Sequence, residues 1–82
     1  MVKAYALIVA NFGKSHDVLD AVRENYGKPQ HGGTHLIDAD AVLGPYDVVA
    51  QFDGVGDLRS LRDALYRIDG VNMVIELSVS GN

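Results

Sequence analysis

The side chains of this 82-residue sequence best suited to chemistry are carboxylates: Asp38, Asp40, Asp47 and Glu76. Asp47 closes the stretch Gly44-Pro45-Tyr46-Asp47, which lies between two apolar runs and reads as the turn of a β-hairpin. Glycine followed by proline suits a two-residue type II′ turn, because glycine takes the positive φ and proline supplies the φ near −65° that follows. Gly44 therefore has a structural reason to be glycine. The turn sets a register: Leu43 opposite Tyr46, Val42 opposite Asp47, Ala41 opposite Val48, Asp40 opposite Val49, Ala39 opposite Ala50, Asp38 opposite Gln51 and Ile37 opposite Phe52. One face is then apolar throughout, and Tyr46 packs its ring there with only the hydroxyl free. The other face sets Asp38, Asp40 and Asp47 beside Val42 and Val49. Carboxylates crowded on a partly apolar surface attract cations, so Asp47 with Asp40 and Glu76 forms a candidate cradle for an ammonium group. The plainer reading is that Asp47 accepts backbone N–H bonds beside the turn while Asp38 and Asp40 guard an edge strand.

Other reactive residue types lead nowhere comparable. His31 and His35 are four apart, which is ligand spacing on a helix, but they flank Gly32-Gly33 with no third ligand nearby, and no metal is expected. Ser15-His16-Asp17 is an adjacency at a helix start rather than a placed nucleophile and base, so no catalytic residue is assigned.

Composition narrows the choices further. A chain of 82 residues with 48% hydrophobic content builds one small domain, residues 1–82. Seven basic against eleven acidic residues give a net charge of −4 with no basic cluster, so direct nucleic-acid binding is not expected. The absence of cysteine excludes disulfides and thiolate sites, and fits a cytoplasmic protein. The N-terminal apolar run, interrupted by Asn11, is neither a signal peptide nor a membrane span.

The elements that must position these residues follow from periodicity. Val2 to Ala10 is apolar in both alternating sets and reads as a strand covered on both faces. Ser15 is the expected N-cap of a helix to Asn25, with Val18, Leu19, Val22 and Tyr26 on its apolar stripe and Gly27 with Pro29 as the stop. A loop, Lys28 to Thr34, leads to strands His35 to Leu43 and Tyr46 to Phe52, and Asp53 to Gly56 then turns the chain. Asp57 caps a second helix with the stripe Leu58, Leu61, Leu65 and Ile68, closed by Gly70. Val71 to Val79 is the last strand, and Ser80-Gly81-Asn82 a frayed tail.

Right-handed crossovers turn the order βαββαβ into an α+β, ferredoxin-like fold, an antiparallel four-stranded sheet in the order 4-1-3-2. Two helices cover one face. The other face carries too much apolar surface to leave in water, which predicts a homodimer, a dimeric α/β sandwich with sheets face to face, burying about 800 Å² per partner.

Gly44-Pro45-Tyr46-Asp47 followed by an apolar strand resembles the Gly-x-Tyr-Asp hairpin of the Lrp/AsnC transcription regulators. Val2 to Ile8 resembles the opening strand of their effector-sensing domain, also called the RAM domain, for regulation of amino-acid metabolism. Gly13-Lys14 is similar to its approach to the first helix, and Ile68-Asp69-Gly70-Val71 to its Ile-x-Gly-Val junction. The resemblance implies a sensing domain for an amino acid or related metabolite, with Gly44, Tyr46, Asp47, Asp40 and Glu76 as the ligand-binding candidates. It also implies the same dimer and higher assembly, commonly four dimers in a ring. Two departures stand out. Met1 leads straight into the first strand with no helix-turn-helix domain before it, so a transcriptional role would run through a full-length regulator as partner. Val74 and Glu76 stand where many members carry a Thr-x-Thr pair. The expectation is a regulatory module with no cofactor and no enzymatic activity. The alternatives are a small dimeric α/β-barrel enzyme of the cofactor-independent monooxygenase type, which would need polar residues such as His31, His35 and Tyr26 converging on a cavity, and a ligand-free assembly partner.

Overall fold

Val2–Ala10 (β1) is apolar on both faces apart from Lys3, and the computed structural model, which describes residues 2–27 and 33–79, places it inside the sheet. The remaining elements are α1 (Ser15–Tyr26), β2 (His35–Ala41), β3 (Val48–Val55), α2 (Leu58–Tyr66) and β4 (Val71–Ser78). The sheet is antiparallel in the order β2-β3-β1-β4, the predicted order read from its other end. The two more apolar strands are central and the two with polar alternation are edges, as the patterning predicts.

Both helices pack on one face. Ala4, Ala6 and Ile8 of β1, with Val48, Ala50 and Phe52 of β3, are completely buried there against Val18 and Val22 of α1 and Leu65 of α2. Burying a side chain such as Phe52 contributes about 2 to 3 kcal/mol. Its ring also meets Tyr26 edge to face, with centroids 5.1 Å apart. Burial pushes the Tyr26 hydroxyl above the ordinary tyrosine range, against an opposing pull from the Arg67 charge.

The register near the hairpin agrees with the turn prediction over four pairs, Ala41–Val48, Asp40–Val49, Ala39–Ala50 and Asp38–Gln51, and departs from it at both ends. At the far end a bulge between Leu36 and Asp38 puts Leu36, not Ile37, opposite Phe52, so Leu36 packs on the core and Ile37 is exposed. At the near end Leu43 and Tyr46 do not pair. Val42 N–H donates to the Asp47 carbonyl at 2.9 Å, but the Asp47 N–H, which would complete the pair, goes instead to the Ile8 carbonyl at 2.9 Å. The connection therefore opens into a wider loop. Leu43, expected in the core, is fully exposed, and Tyr46 is half-buried rather than part of the core. Gly44 keeps the expected positive φ, +132°.

Smaller corrections have equally local causes. Ser15 is already helical and Lys14 holds the N-cap position, with no side-chain cap bond. Residues 53–55 continue β3 instead of turning: Gly54 adopts φ +71°, and Val55, paired with Val2, is buried in the core. The second helix ends at Tyr66, before Ile68, which still packs on the core, and Gly70 sits in the following junction. The expected tail, residues 80–82, lies outside the described residues, as does most of the loop from 28 to 34.

Candidate functional site

Antiparallel pairing of β1 with β3 brings the end of β1 to the start of β3, so the β1–α1 and β2–β3 connections share one end of the sheet. Between them lies a cleft of about 400 Å³ lined by Gly13, Ser15 and His16 on one side and Ala41, Val42, Leu43 and Asp47 on the other. That volume falls within the range of small-molecule sites, about 300 to 1,000 Å³.

Asp47 is the anchored group. Its Oδ2 accepts the Ala10 N–H at 2.7 Å, and its own N–H is held by Ile8, so backbone and side chain are both tied to the end of β1. Oδ1 has no protein donor among the described residues, and it is not sealed from solvent. Asp47 thus lines the cleft with one carboxylate oxygen fixed and the other free to accept a further donor. Opposite it stands the start of α1. Helix N-termini leave backbone N–H groups without intrahelical partners and carry partial positive charge, and here no side chain caps them. The nearby Lys14–Asp17 pair, 3.9 Å apart and exposed, contributes little.

The β1–α1 wall is itself held in place. Asn11 N–H donates to the Gly70 carbonyl at 2.7 Å, and Asn72 Nδ2 to Asn11 Oδ1 at 3.0 Å. Gly70, at φ +94°, lies so close that a Cβ there would meet Lys14 Cβ at 2.9 Å. The Gly-Val junction thus packs under the approach to α1. Phe12 and Leu43, one on each connection, are both fully exposed.

Of the residues singled out in the sequence, the structure places Asp47 in the cleft and Gly44 and Tyr46 on the same loop but off its lining. Asp40 and Glu76 do not line the cleft with Asp47. They lie on opposite edge strands, and Glu76 sits opposite Ala6 on the helix side, where Arg62 of α2 reaches it at 3.4 Å. The three-carboxylate cradle therefore does not form. The plainer reading of Asp47 as an acceptor of a backbone N–H is met at Oδ2. His35 Nδ1 lies 3.2 Å from the Gly33 carbonyl, His31 lies outside the described residues, and no metal-binding group of three appears among the described residues. Ser15 and His16 were missed as lining residues. Their spacing carries no signal, but the topology does, since it forces the two connections together.

No family model matches the sequence, and no curated protein matches it. Solved structures do share its fold over essentially the whole chain. TTHA0845 from Thermus thermophilus superposes with a TM-score of 0.72 at 24% identity, covering 100% of this chain and 96% of that one. FFRP-DM1 gives 0.70 at 20% identity over 98% and 100% of the two chains. The hypothetical protein PHS023 from Pyrococcus horikoshii gives 0.69 at 20%, covering 100% and 93%. The fold expected from the hairpin and the Gly-Val junction is thus the fold found, and at these identities the likeness is one of fold.

Proposed function

We propose that this chain is a small-molecule sensing module of the Lrp/AsnC type that takes an amino acid or related amine in the cleft beside Asp47. The observation that carries the reading is Asp47, which lines the cleft with its carboxylate fixed through Oδ2 and its other oxygen without a protein donor among the described residues. An ammonium group would meet Oδ1, a carboxylate the uncapped start of α1, and an apolar side chain Ala41, Val42 and Leu43. The module works by binding rather than catalysis, and without a cofactor. It assembles as a homodimer through the helix-free sheet face, with four dimers in a ring as the higher assembly. Ligand acts by favouring one assembly over another, which requires different affinities for the two. The net charge of −4 leaves DNA contact to a full-length regulator that binds this module.

The experiment is a thermal-shift screen against amino acids, their amides and polyamines, with mass followed by light scattering. A ligand at one hundred times its Kd stabilises the fold by about 2.7 kcal/mol, several degrees for a chain of this size. Asp47→Ala is expected to abolish the shift and leave the mass of the unliganded assembly unchanged. No shift from any compound would favour the ligand-free assembly partner instead.

A further inference from the structure

β2 is an edge strand, and its outer side is closed at one residue by two separate contacts. Pairing with β3 uses the backbone groups of Asp38 and Asp40, so those of Ala39 point away from the sheet. The Ala39 carbonyl accepts Arg23 Nη2 from α1 at 2.8 Å, and the Ala39 N–H donates to Asp38 Oδ1 at 2.9 Å. Both groups that a neighbouring strand would need are therefore already occupied.

We propose that Arg23 is a latch that keeps β2 from pairing with β2 of a second copy. Outward N–H and C=O groups on one residue are self-complementary about a two-fold axis. Two copies centred on Ala39 would exchange both bonds and join their sheets edge to edge. That register sets Asp38 opposite Asp40 of the second copy, twice, and like charges directly opposite oppose pairing. The bulge at Ile37 shortens the regular edge further. Arg23 holds the carbonyl, Asp38 the N–H, and the two aspartates repel a matching strand. The opposite edge uses a related device in smaller form, where Val74 N–H donates to the Tyr66 hydroxyl at 3.1 Å.

The test uses Arg23→Met, which keeps the aliphatic stem on the helix and removes the donor, alone and combined with Asp38→Ala and Asp40→Asn. The triple variant is expected to associate beyond the wild-type assembly, at least doubling the mass by light scattering, with slower amide exchange at Ala39 and Ala41 as concentration rises. Arg23→Met alone is expected to associate only at high salt, where repulsion between the aspartates is screened. It carries the test if the triple variant does not fold. Unchanged mass in the folded triple variant, or in Arg23→Met at high salt, would overturn the latch and reduce Arg23 to a helix-to-sheet tie. Association without protection at Ala39 would overturn it equally, by locating the contact elsewhere.

Discussion

Two aspartates show how one side chain can be structural at one oxygen and available at the other, or structural at both. Asp47 anchors the end of β1 through Ala10, and Asp47→Ala removes that acceptor, so thermal unfolding is expected to show a loss of about 1 to 2 kcal/mol. Asp47→Asn, which can still accept the bond, should recover most of it. Asp57 is different: the Ser60 hydroxyl and the Arg59 N–H both donate to it, the hydroxyl foremost, and hold its carboxyl below the usual carboxylate range. A carboxyl whose folded value is depressed adds stability in full above its unfolded value, about 4, and loses it as pH falls through the folded value. Asp57→Ala should therefore lower Tm by a few degrees at neutral pH, with a gap to wild type that closes on acidification. Asp57 was legible because a cap is a local rule. Asp47 was legible only as a residue beside a turn, because the bond that fixes it spans from residue 10 to residue 47 and belongs to the tertiary fold.

Elements were predictable where their period is continuous and misread where a backbone detail interrupts it. β1 and the apolar stripes of both helices are continuous, and their positions agree with the structure to within a few residues. The Ile37 bulge leaves no mark in an alternation that still looks regular. The β3 extension hides behind Gly54, a residue that ordinarily signals a turn. Gly54 instead crosses the Gly33 backbone inside the sheet, where an added Cβ would collide with the Gly33 carbonyl oxygen. Gly54→Ala combines that collision with a positive φ, and is expected to destabilise more than an exposed glycine substitution, by over ~1 kcal/mol in denaturant titration. Phe52→Ala empties the centre of the helix-side core and removes the ring contact with Tyr26. The expected loss is about 3 to 5 kcal/mol, enough to leave a domain of this size largely unfolded at ambient temperature.

For the whole molecule the unfinished surface is the helix-free sheet face, where Tyr5, Leu7, Val9, Val49, Ile75 and Leu77 lie together on three adjacent strands. The sheet of a second copy is the cover proposed for it. Ile75→Lys, which puts a charge at its middle, is expected to lower the mass from dimer to monomer in light scattering while the fold persists by circular dichroism. Sequence patterning pointed to this face because two helices cover only one side of the sheet and the other side still carries Val42, Val49 and apolar residues of the first and last strands. It could not point to the cleft, which arises where two connections distant in sequence meet. Binding of an amino-acid-like ligand in that cleft is open to an amide chemical-shift titration with the amino acid that gives the largest thermal shift. Saturable shifts are expected at Ala10, Ser15, His16, Val42 and Asp47, and are expected to be lost in Asp47→Ala. Saturable shifts confined to another part of the molecule, or undiminished in that variant, would contradict binding beside Asp47.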